Sequence, residues 1–250
     1  MRRAIFGSLL STILSCSICV AESITMTAMA DNTMFSESSN SGGLASTLFA
    51  GRNNAAGIRR ALLQFDVAGS LPISARISAV QLTLHVDGAA QTETESREFA
   101  LHRLTSGWGE GTSGGGGPGG GRGESPTIGD ATWQHRFYDA QFWTTEGGDF
   151  VQSASGSASV GLAPGPYTWQ SSAGLVADVQ TWLDDPASDF GWMLIGDEQQ
   201  NGTVRRIFSR ESTDPALRPK LTVEYVAVPE PASAILLSFA GLGAGFLRRK

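Results

Sequence analysis

Aromatic side chains are the residues of this chain whose type and spacing best suit a binding site. Exposed rings can stack on the apolar face of a sugar, whereas buried rings fill a core. All six tryptophans lie between positions 108 and 192; they are Trp108, Trp133, Trp143, Trp169, Trp182 and Trp192. Trp182 and Trp192 belong to apolar patterns, so we predict that both are core residues.

A polar stretch around Trp133 is the best candidate for a ligand site. His135 and Arg136 follow Trp133 directly and could donate hydrogen bonds at the edge of a stacked ring. We predict that Trp133, Arg136, Tyr138 and Trp143 bind a ligand. Core packing of the three aromatic rings is the alternative, and the sequence leaves both interpretations open.

Arginines near the C-terminal end form a second polar group. In a strand, Arg205 and Arg206 would point to opposite faces, so one of them must face the core or a rim. An arginine at a rim could bind an acidic sugar, and Arg205 is our candidate for that role. Pairing with a carboxylate inside the fold is the alternative. We favour it for Arg210-Glu211, because an unpaired buried charge is costly.

The residues that could catalyse a reaction carry no recognisable motif. The three histidines, His85, His102 and His135, are not accompanied by a serine-hydrolase, cysteine-hydrolase or zinc-hydrolase pattern. Two carboxylates could serve a glycosidase, and the candidate pairs are Glu93-Glu95, Asp184-Asp185 and Asp197-Glu198. Adjacent acids in turns are usually only solvated, so we predict that the protein is not an enzyme.

Metal binding has weak support in the sequence. Oxygen atoms of the loop at residues 197–201 could hold calcium, which prefers carboxylate and backbone oxygens. The loop lacks the spacing of an EF-hand, so we assign no metal and no cofactor.

Short alternating segments predict the elements that position these residues. Between clusters of Gly, Asn, Asp, Ser and Pro, apolar and polar side chains alternate with a period of two, which is typical of an all-β sandwich. One helix is predicted over residues 175–183, capped by Ser171 or Ser172 and ended by Asp185-Pro186. The main predicted strands are residues 44–51, 58–67, 76–86, 98–104, 157–162, 190–195, 203–209 and 220–226.

A glycine-rich stretch interrupts this pattern at residues 113–123. It lacks the Gly-Lys-Ser/Thr ending, the preceding buried strand and the following helix of a phosphate-binding loop. Glycine-rich chains bury little apolar surface, so we predict a flexible surface insertion. The stretch separates Trp108-Gly109-Glu110 from Ala131-Thr132-Trp133, which we expect to be neighbours in the fold.

The N-terminal segment predicts export. Basic Arg2 and Arg3, an apolar run and the small residue Ala21 form a secretory signal peptide, residues 1–21, for removal by signal peptidase. A later cut after Ala30 also fits the small-x-small rule, but it would remove a predicted first strand that includes Ile24. Both cysteines lie inside this signal, so the exported part can form no disulfide.

The C-terminal segment, residues 227–250, predicts sorting. Pro229-Glu230-Pro231 precedes an apolar run at residues 232–247, and Arg248, Arg249 and Lys250 end the chain. This run is shorter than the ~20 residues that span a bilayer comfortably. The tail resembles the PEP-CTERM sorting signal of Gram-negative bacteria. That resemblance implies transient membrane contact through a C-terminal helix, cleavage by an exosortase, and release to the cell envelope or the extracellular polysaccharide matrix. An ordinary anchor helix is the alternative.

The part between the two signals is acidic. Without Arg2, Arg3, Arg248, Arg249 and Lys250, the 18 basic residues fall to 13, and without Glu230 the 24 acidic residues fall to 23, which leaves a net charge of −10. This balance argues against nucleic acid as a partner. About 200 residues remain, enough for one sandwich with its own core.

Residues 22–226 also resemble a known family. The motifs that carry the resemblance are, in chain order, Ala61-Leu62-Leu63-Gln64-Phe65-Asp66, Trp108-Gly109-Glu110, Ala131-Thr132-Trp133, Val179-Gln180-Thr181-Trp182, Phe190-Gly191-Trp192, Phe208-Ser209-Arg210-Glu211 and residues 218–225. They are similar to the DNRLRE domain, which is related to disaggregatase-associated repeats and to jelly-roll carbohydrate-binding modules. The resemblance implies a jelly-roll β-sandwich with an extracellular binding or adhesive role and no catalytic residues.

Together these features predict an exported, non-catalytic protein that binds polysaccharide. The alternative is a structural or adhesive matrix protein without a specific glycan ligand.

Overall fold

The computed structural model describes residues 21–227, and most of its regular structure is β-strand. In chain order the strands are β1 (Ala21–Thr27), β2 (Ala30–Phe35), β3 (Thr47–Arg52), β4 (Ile58–Gln64), β5 (Ala75–Ala89), β6 (Arg97–Arg103), β7 (His135–Phe137), β8 (Gln141–Phe142), β9 (Gly156–Val160), β10 (Gly165–Trp169), β11 (Trp192–Ile195), β12 (Arg205–Phe208) and β13 (Lys220–Ala227). The helices are α1 (Val67–Ser70) and α2 (Ala173–Asp184), with short 3₁₀ turns at Pro118–Gly120 and Pro186–Ser188. The all-β prediction is confirmed.

The two ends of the chain lie mostly outside this range. The predicted signal-peptide helix, the C-terminal apolar helix and the sorting residues Pro229, Glu230, Pro231, Arg248 and Arg249 fall outside the described residues. Strand β1 pairs with β13 along its whole length, from Ala21 opposite Val226 to Thr27 opposite Lys220. Cleavage after Ala30 would therefore remove a strand from the sheet.

Among residues 21–227, no helix is long and apolar enough to cross a membrane.

One curled antiparallel sheet contains eleven of the strands described for residues 21–227. The order is β1-β13-β5-β12-β3-β4-β11-β6-β9, with β10 also paired to β5 and β2 to β4. Strand β3 connects the two halves, because residues 47–50 pair with β12 while Gly51 and Arg52 pair with β4. Residues of both halves therefore enter one main core.

The main core lies on the inner face of the curled sheet. Alternate residues of β5 point into it, including Val80, Leu82 and Leu84, as the period-two pattern predicts. Each fully buried aliphatic side chain of this kind contributes about 1.5–3 kcal/mol. Helix α2 closes one side of this core, and its Trp182 meets Trp192 of β11 at 4.5 Å between ring centroids.

Helix α2 agrees closely with its sequence signals. Ser172 is the N-cap, and its hydroxyl accepts a hydrogen bond from the Leu175 amide at 3.1 Å. The helix ends at Asp184, directly before Asp185-Pro186. The predictions that Trp182 and Trp192 are core residues are confirmed, since both are fully buried.

A second core lies on the opposite face of β4 and β11. Leu62 and Met193 point away from the main core and are nevertheless fully buried. They are covered by side chains of the long segment between β6 and β9, among them Leu104, Trp108 and Trp143. The sequence pattern of residues 58–67 predicts a half-buried strand, but β4 is buried on both faces, because this segment packs over its outer side.

The glycine-rich residues 113–123 pack beside the second core, against β3 and the Arg59 side chain. The carbonyl oxygens of Gly119 and Gly121 accept hydrogen bonds from Thr47 Oγ1 and the Arg59 guanidinium, at 2.9 and 3.3 Å. A β-bridge joins Ser41 to Glu124 directly after the stretch. These contacts hold the stretch against neighbouring segments, and its flexibility stays a prediction. Glycine permits this close backbone approach.

The expected neighbourhood of the two flanking motifs is confirmed. The Ala131 amide donates a hydrogen bond to the Gly109 carbonyl at 2.7 Å, and both motifs contribute to the second core.

Substitution of Gly123 tests whether the glycine-rich stretch packs as described. Gly123 has φ +59°, and a Cβ there would lie 2.6 Å from both Phe35 Cε2 and the Ser41 carbonyl oxygen. Gly123→Ala should lower the free energy of unfolding by about 1–3 kcal/mol in urea denaturation. Gly88→Ala is the matched control, because nothing lies within 4 Å of that position. Equal stability of the two variants would show that the stretch does not pack in this way.

Candidate functional site

Trp133 is the predicted ligand residue that the structure places at a groove. Its indole ring is half-buried against the second core. The Arg60 guanidinium covers part of the ring, with Cζ 4.9 Å from the centroid. Arg60 is held in place by two hydrogen bonds to the Glu198 carboxylate, at 2.7 and 2.8 Å, and a third to the Gly147 carbonyl. The indole orientation is therefore set before any ligand arrives.

Two adjoining depressions flank this Arg60–Trp133 pair. The Trp133 groove has a volume of about 240 Å³ and is lined by Ser36, Glu37, Ser38, Ser39, Trp133, Gln134 and Glu146. The Arg60 groove has a volume of about 450 Å³, and its lining includes Arg60, Ser106, Thr144, Thr145, Glu146 and Asp149. Glu146 lines both, so the two depressions meet at that residue. Hydroxyl, amide and carboxylate groups predominate on their walls.

The polar groups of the grooves are held by the fold. Asp149 accepts hydrogen bonds from the Thr144 and Thr145 amides, both at 3.0 Å, and from the Ser106 hydroxyl. Gln134 donates to the exposed Glu146 at 3.2 Å. The positive charge of Arg60 is neutralised by Glu198, so the walls carry no free cation that would favour an anionic ligand. Such walls suit the hydroxyl groups of a neutral sugar.

Tyr138 lies at a different place, on the β7–β8 hairpin. The His135 ring is 5.2 Å from the Tyr138 ring and 4.2 Å from the Phe142 ring, and Phe142 is 68% exposed. Phe142 is not among the residues predicted from the sequence. Both residues of β8, Gln141 and Phe142, are exposed, and no pattern in the sequence singles out Phe142. The hairpin therefore presents a second aromatic surface, separate from the Trp133 ring.

Trp143 is not a surface residue, so the prediction that it binds a ligand is wrong for this structure. It is only 5% exposed, it belongs to the second core, and its Nε1 donates to the Thr132 carbonyl at 2.9 Å. Arg136 is half-buried, donates to the Gly107 carbonyl at 3.1 Å, and lies over Phe137. Of these two side chains, Arg136 is the more exposed to solvent.

Arg205 is also a structural residue, and its predicted ligand role is wrong for this structure. The side chain is fully buried, and its guanidinium donates to the carbonyls of Gly161, Thr203 and Glu95 at 2.8–2.9 Å. Glu93 supplies the compensating charge at 3.6 Å. The alternation of β12 correctly predicts that one arginine of the pair points inward.

The acid pairs considered for catalysis are engaged in other contacts. Hydrogen bonds from the Arg97 guanidinium lower the pKa of Glu93 to about 2, the opposite of what a general acid needs. Glu198 pairs with Arg60, and Asp197 accepts hydrogen bonds from the amides of its own loop. Asp184 and Asp185 are exposed. In the loop at residues 197–201, which was considered for calcium, the carbonyls of Glu198 and Gln199 accept hydrogen bonds from Arg52. Two of its backbone oxygens therefore already have a partner.

Asp189 has a strongly shifted pKa but lies outside both grooves. Burial raises its pKa to about 7, and nearby Asp66 adds to the effect, although the amides of Val67 and Gly191 partly stabilise the carboxylate. Its Oδ1 atom is buried without a hydrogen-bond partner. A raised pKa can mark a functional site, but here the surroundings are the start of α1 and the turn before β11.

A cluster of three acids joins distant parts of the chain, and one of them lies in the loop after β6 that carries Trp108 and Glu110, which we call the Trp108 loop. Asp31 of β2, Glu110 after β6 and Glu211 after β12 each place a carboxylate oxygen within 4.8 Å of the others. Arg210 donates to both oxygens of Glu110 and also contacts Glu211. Burial, with the charge of Glu211 adding to it, raises the pKa of Asp31 well above its usual range, and burial raises that of Glu211. The favoured pairing of Arg210 with carboxylates is confirmed.

A scan against protein-family models finds no match for this chain, and a search of curated proteins finds no similar one.

Replacement of Asp189 tests the electrostatic description of the buried acids. The raised pKa means that Asp189 keeps a proton in the folded state that it loses near pH 4 in the unfolded state, so its contribution to stability falls as pH rises from about 4 to about 7. Asp189→Asn should remove roughly 2–4 kcal/mol of that loss. Urea unfolding at pH 4.5, 6 and 8 measures it. The exposed Asp184→Asn variant should follow the wild type, and parallel curves for Asp189→Asn would disprove the assignment.

Proposed function

We propose that this is an exported, non-catalytic jelly-roll protein of the bacterial cell envelope or extracellular matrix that binds polysaccharide. The observation that carries the binding role is Trp133, a half-buried indole fixed by Arg60 between two grooves with polar walls. An aromatic face beside hydrogen-bonding groups matches the two-sided character of a sugar ring. The ligand is a neutral polysaccharide rather than an anionic one, because Glu146 and Asp149 line the grooves.

The export part of the proposal rests on the two ends of the chain. The signal peptide at residues 1–21 would be removed by signal peptidase, and the tail at residues 227–250 would be cut by an exosortase. The curled antiparallel sheet is compatible with the jelly-roll class and with the DNRLRE resemblance.

A structural or adhesive matrix protein is the second candidate, and one observation favours it. Within the described residues, β1 forms a ladder with β13 only and leaves its other edge unpaired. An open edge can add a strand from another copy of the chain. Sedimentation of the protein without sugar distinguishes the candidates, since self-assembly would favour the matrix role.

Affinity electrophoresis through gels containing neutral or acidic polysaccharide tests the binding role. Trp133→Ala should raise the apparent dissociation constant obtained from the retardation at least about tenfold. The reason is that loss of the stacked ring removes apolar contact worth about 1.5 kcal/mol or more. Gln134→Ala removes only an exposed hydrogen-bonding group of the Trp133 groove and should raise the same constant about fivefold.

Phe142→Ala is the matched control for the loss of an aromatic ring. Phe142 is more exposed than Trp133 and lies on the hairpin, so retardation should stay at the wild-type level. Thermal unfolding must show that the Trp133 and Gln134 variants remain folded. Wild-type retardation of both folded groove variants would reject the Trp133 groove as the binding site.

A further inference from the structure

We propose that Asp31, Glu110 and Glu211 bind one calcium ion that joins three distant segments of the chain. Their carboxylate oxygens lie within 4.8 Å of one another. Calcium bonds oxygen at 2.3–2.6 Å, so two ligand atoms of one ion are separated by at most about 5 Å. The three carboxylates therefore have the spacing of ligands around a shared ion.

Two unpaired buried oxygens point to a ligand at this place. Asp31 is fully buried, and its Oδ1 has no hydrogen-bond partner. Glu211 Oε2 is likewise buried without a partner. An unsatisfied buried carboxylate oxygen is costly, and a bound cation would satisfy both atoms at once.

The other oxygens of the cluster are fixed by hydrogen bonds that point them toward the site. Asp31 Oδ2 accepts from the Arg210 amide at 2.7 Å, and Glu110 Oε1 accepts from the Asp31 amide at 2.9 Å. Arg210 Nη2 donates to Glu110 Oε2 at 2.8 Å. Glu110 Oε1 also accepts from Arg210 Nε, so both of its lone pairs are used. Oε2 accepts one hydrogen bond and keeps a lone pair for an ion.

The charge of the cluster fits a divalent cation. Three carboxylates and the Arg210 guanidinium leave a net charge of −2, which a doubly charged ion would neutralise. The ligand atoms are all oxygen, which favours calcium or magnesium over zinc or copper. Magnesium requires a near-octahedral site and retains several waters, whereas calcium accepts irregular geometry. A largely buried set of carboxylates from three loops and strands suits calcium better.

A bound ion would hold in place the segment between β6 and β9, which also contributes side chains to the second core. Next to Asp31, Asn32 donates to the Glu110 carbonyl at 2.8 Å and to the Ser41 hydroxyl at 2.9 Å. Calcium at Asp31 and Glu110 would therefore hold the Trp108 loop against β2. The ion has a structural role in this proposal, and the proposal does not depend on sugar binding.

Thermal unfolding followed by tryptophan fluorescence tests the site. The protein is stripped with a chelator and returned to buffers containing calcium, magnesium or no divalent ion at equal ionic strength. Calcium at about 100 times its dissociation constant should raise the Tm by roughly 5–10 °C, and magnesium should raise it less. Calorimetric titration of the wild type should show one site per chain. A Tm that does not respond to calcium would overturn the proposal and indicate that Asp31 and Glu211 share a proton.

Glu211→Gln distinguishes the ion from that shared proton without loss of the fold. The glutamine amide can donate to Asp31 Oδ1, so the variant should melt no lower than the chelated wild type, while its response to calcium disappears. Glu224→Gln, at an exposed position of β13, is the matched control and should keep the full calcium response. An unchanged calcium response in Glu211→Gln would place the ion elsewhere and reject this site.

Discussion

The burial of the outer face of β4 and β11 is the constraint on which the rest of this structure depends. Leu62 and Met193 lie on that face, opposite the main core, and neither is exposed to water. A sheet alone cannot cover its own outer side, so the long segment between β6 and β9 must fold back over it. The second core, the Trp133 groove and the acid cluster all arise from the packing of this segment.

Charged groups hold that segment in place where apolar contacts end. Arg60 connects β4 to Glu198 and Gly147, and its guanidinium fixes the Trp133 ring. On the other side, Asp31, Glu110 and Arg210 connect β2, the Trp108 loop and the turn after β12. Such partly buried pairs are costly to break singly, because the remaining charge is left without compensation. The Trp133 groove, our proposed sugar-binding surface, therefore lies on a rigid base.

Much of the fold can be read from local patterns. The alternation of β5 and β12 correctly separates inward from outward residues, including Arg205 from Arg206. The limits and the cap of α2 follow from Ser172 and Pro186. The site is only partly predictable. Trp133 lies at the candidate grooves as predicted from the sequence, whereas Trp143 and Arg205 are buried. Arg60 is missed because its partners Glu198 and Gly147 are far away in the chain.

The sequence by itself determined which residues alternate, where the helix starts and stops, and which short motifs of the body are expected to be neighbours. Only the tertiary structure decided whether an outward face meets water or another segment, as it does for Leu62 and for the glycines of residues 113–123. It alone brought Asp31, Glu110 and Glu211 together. The physical reason is that side-chain alternation is a local property of a strand, whereas burial and charge pairing depend on contacts between segments far apart in the sequence.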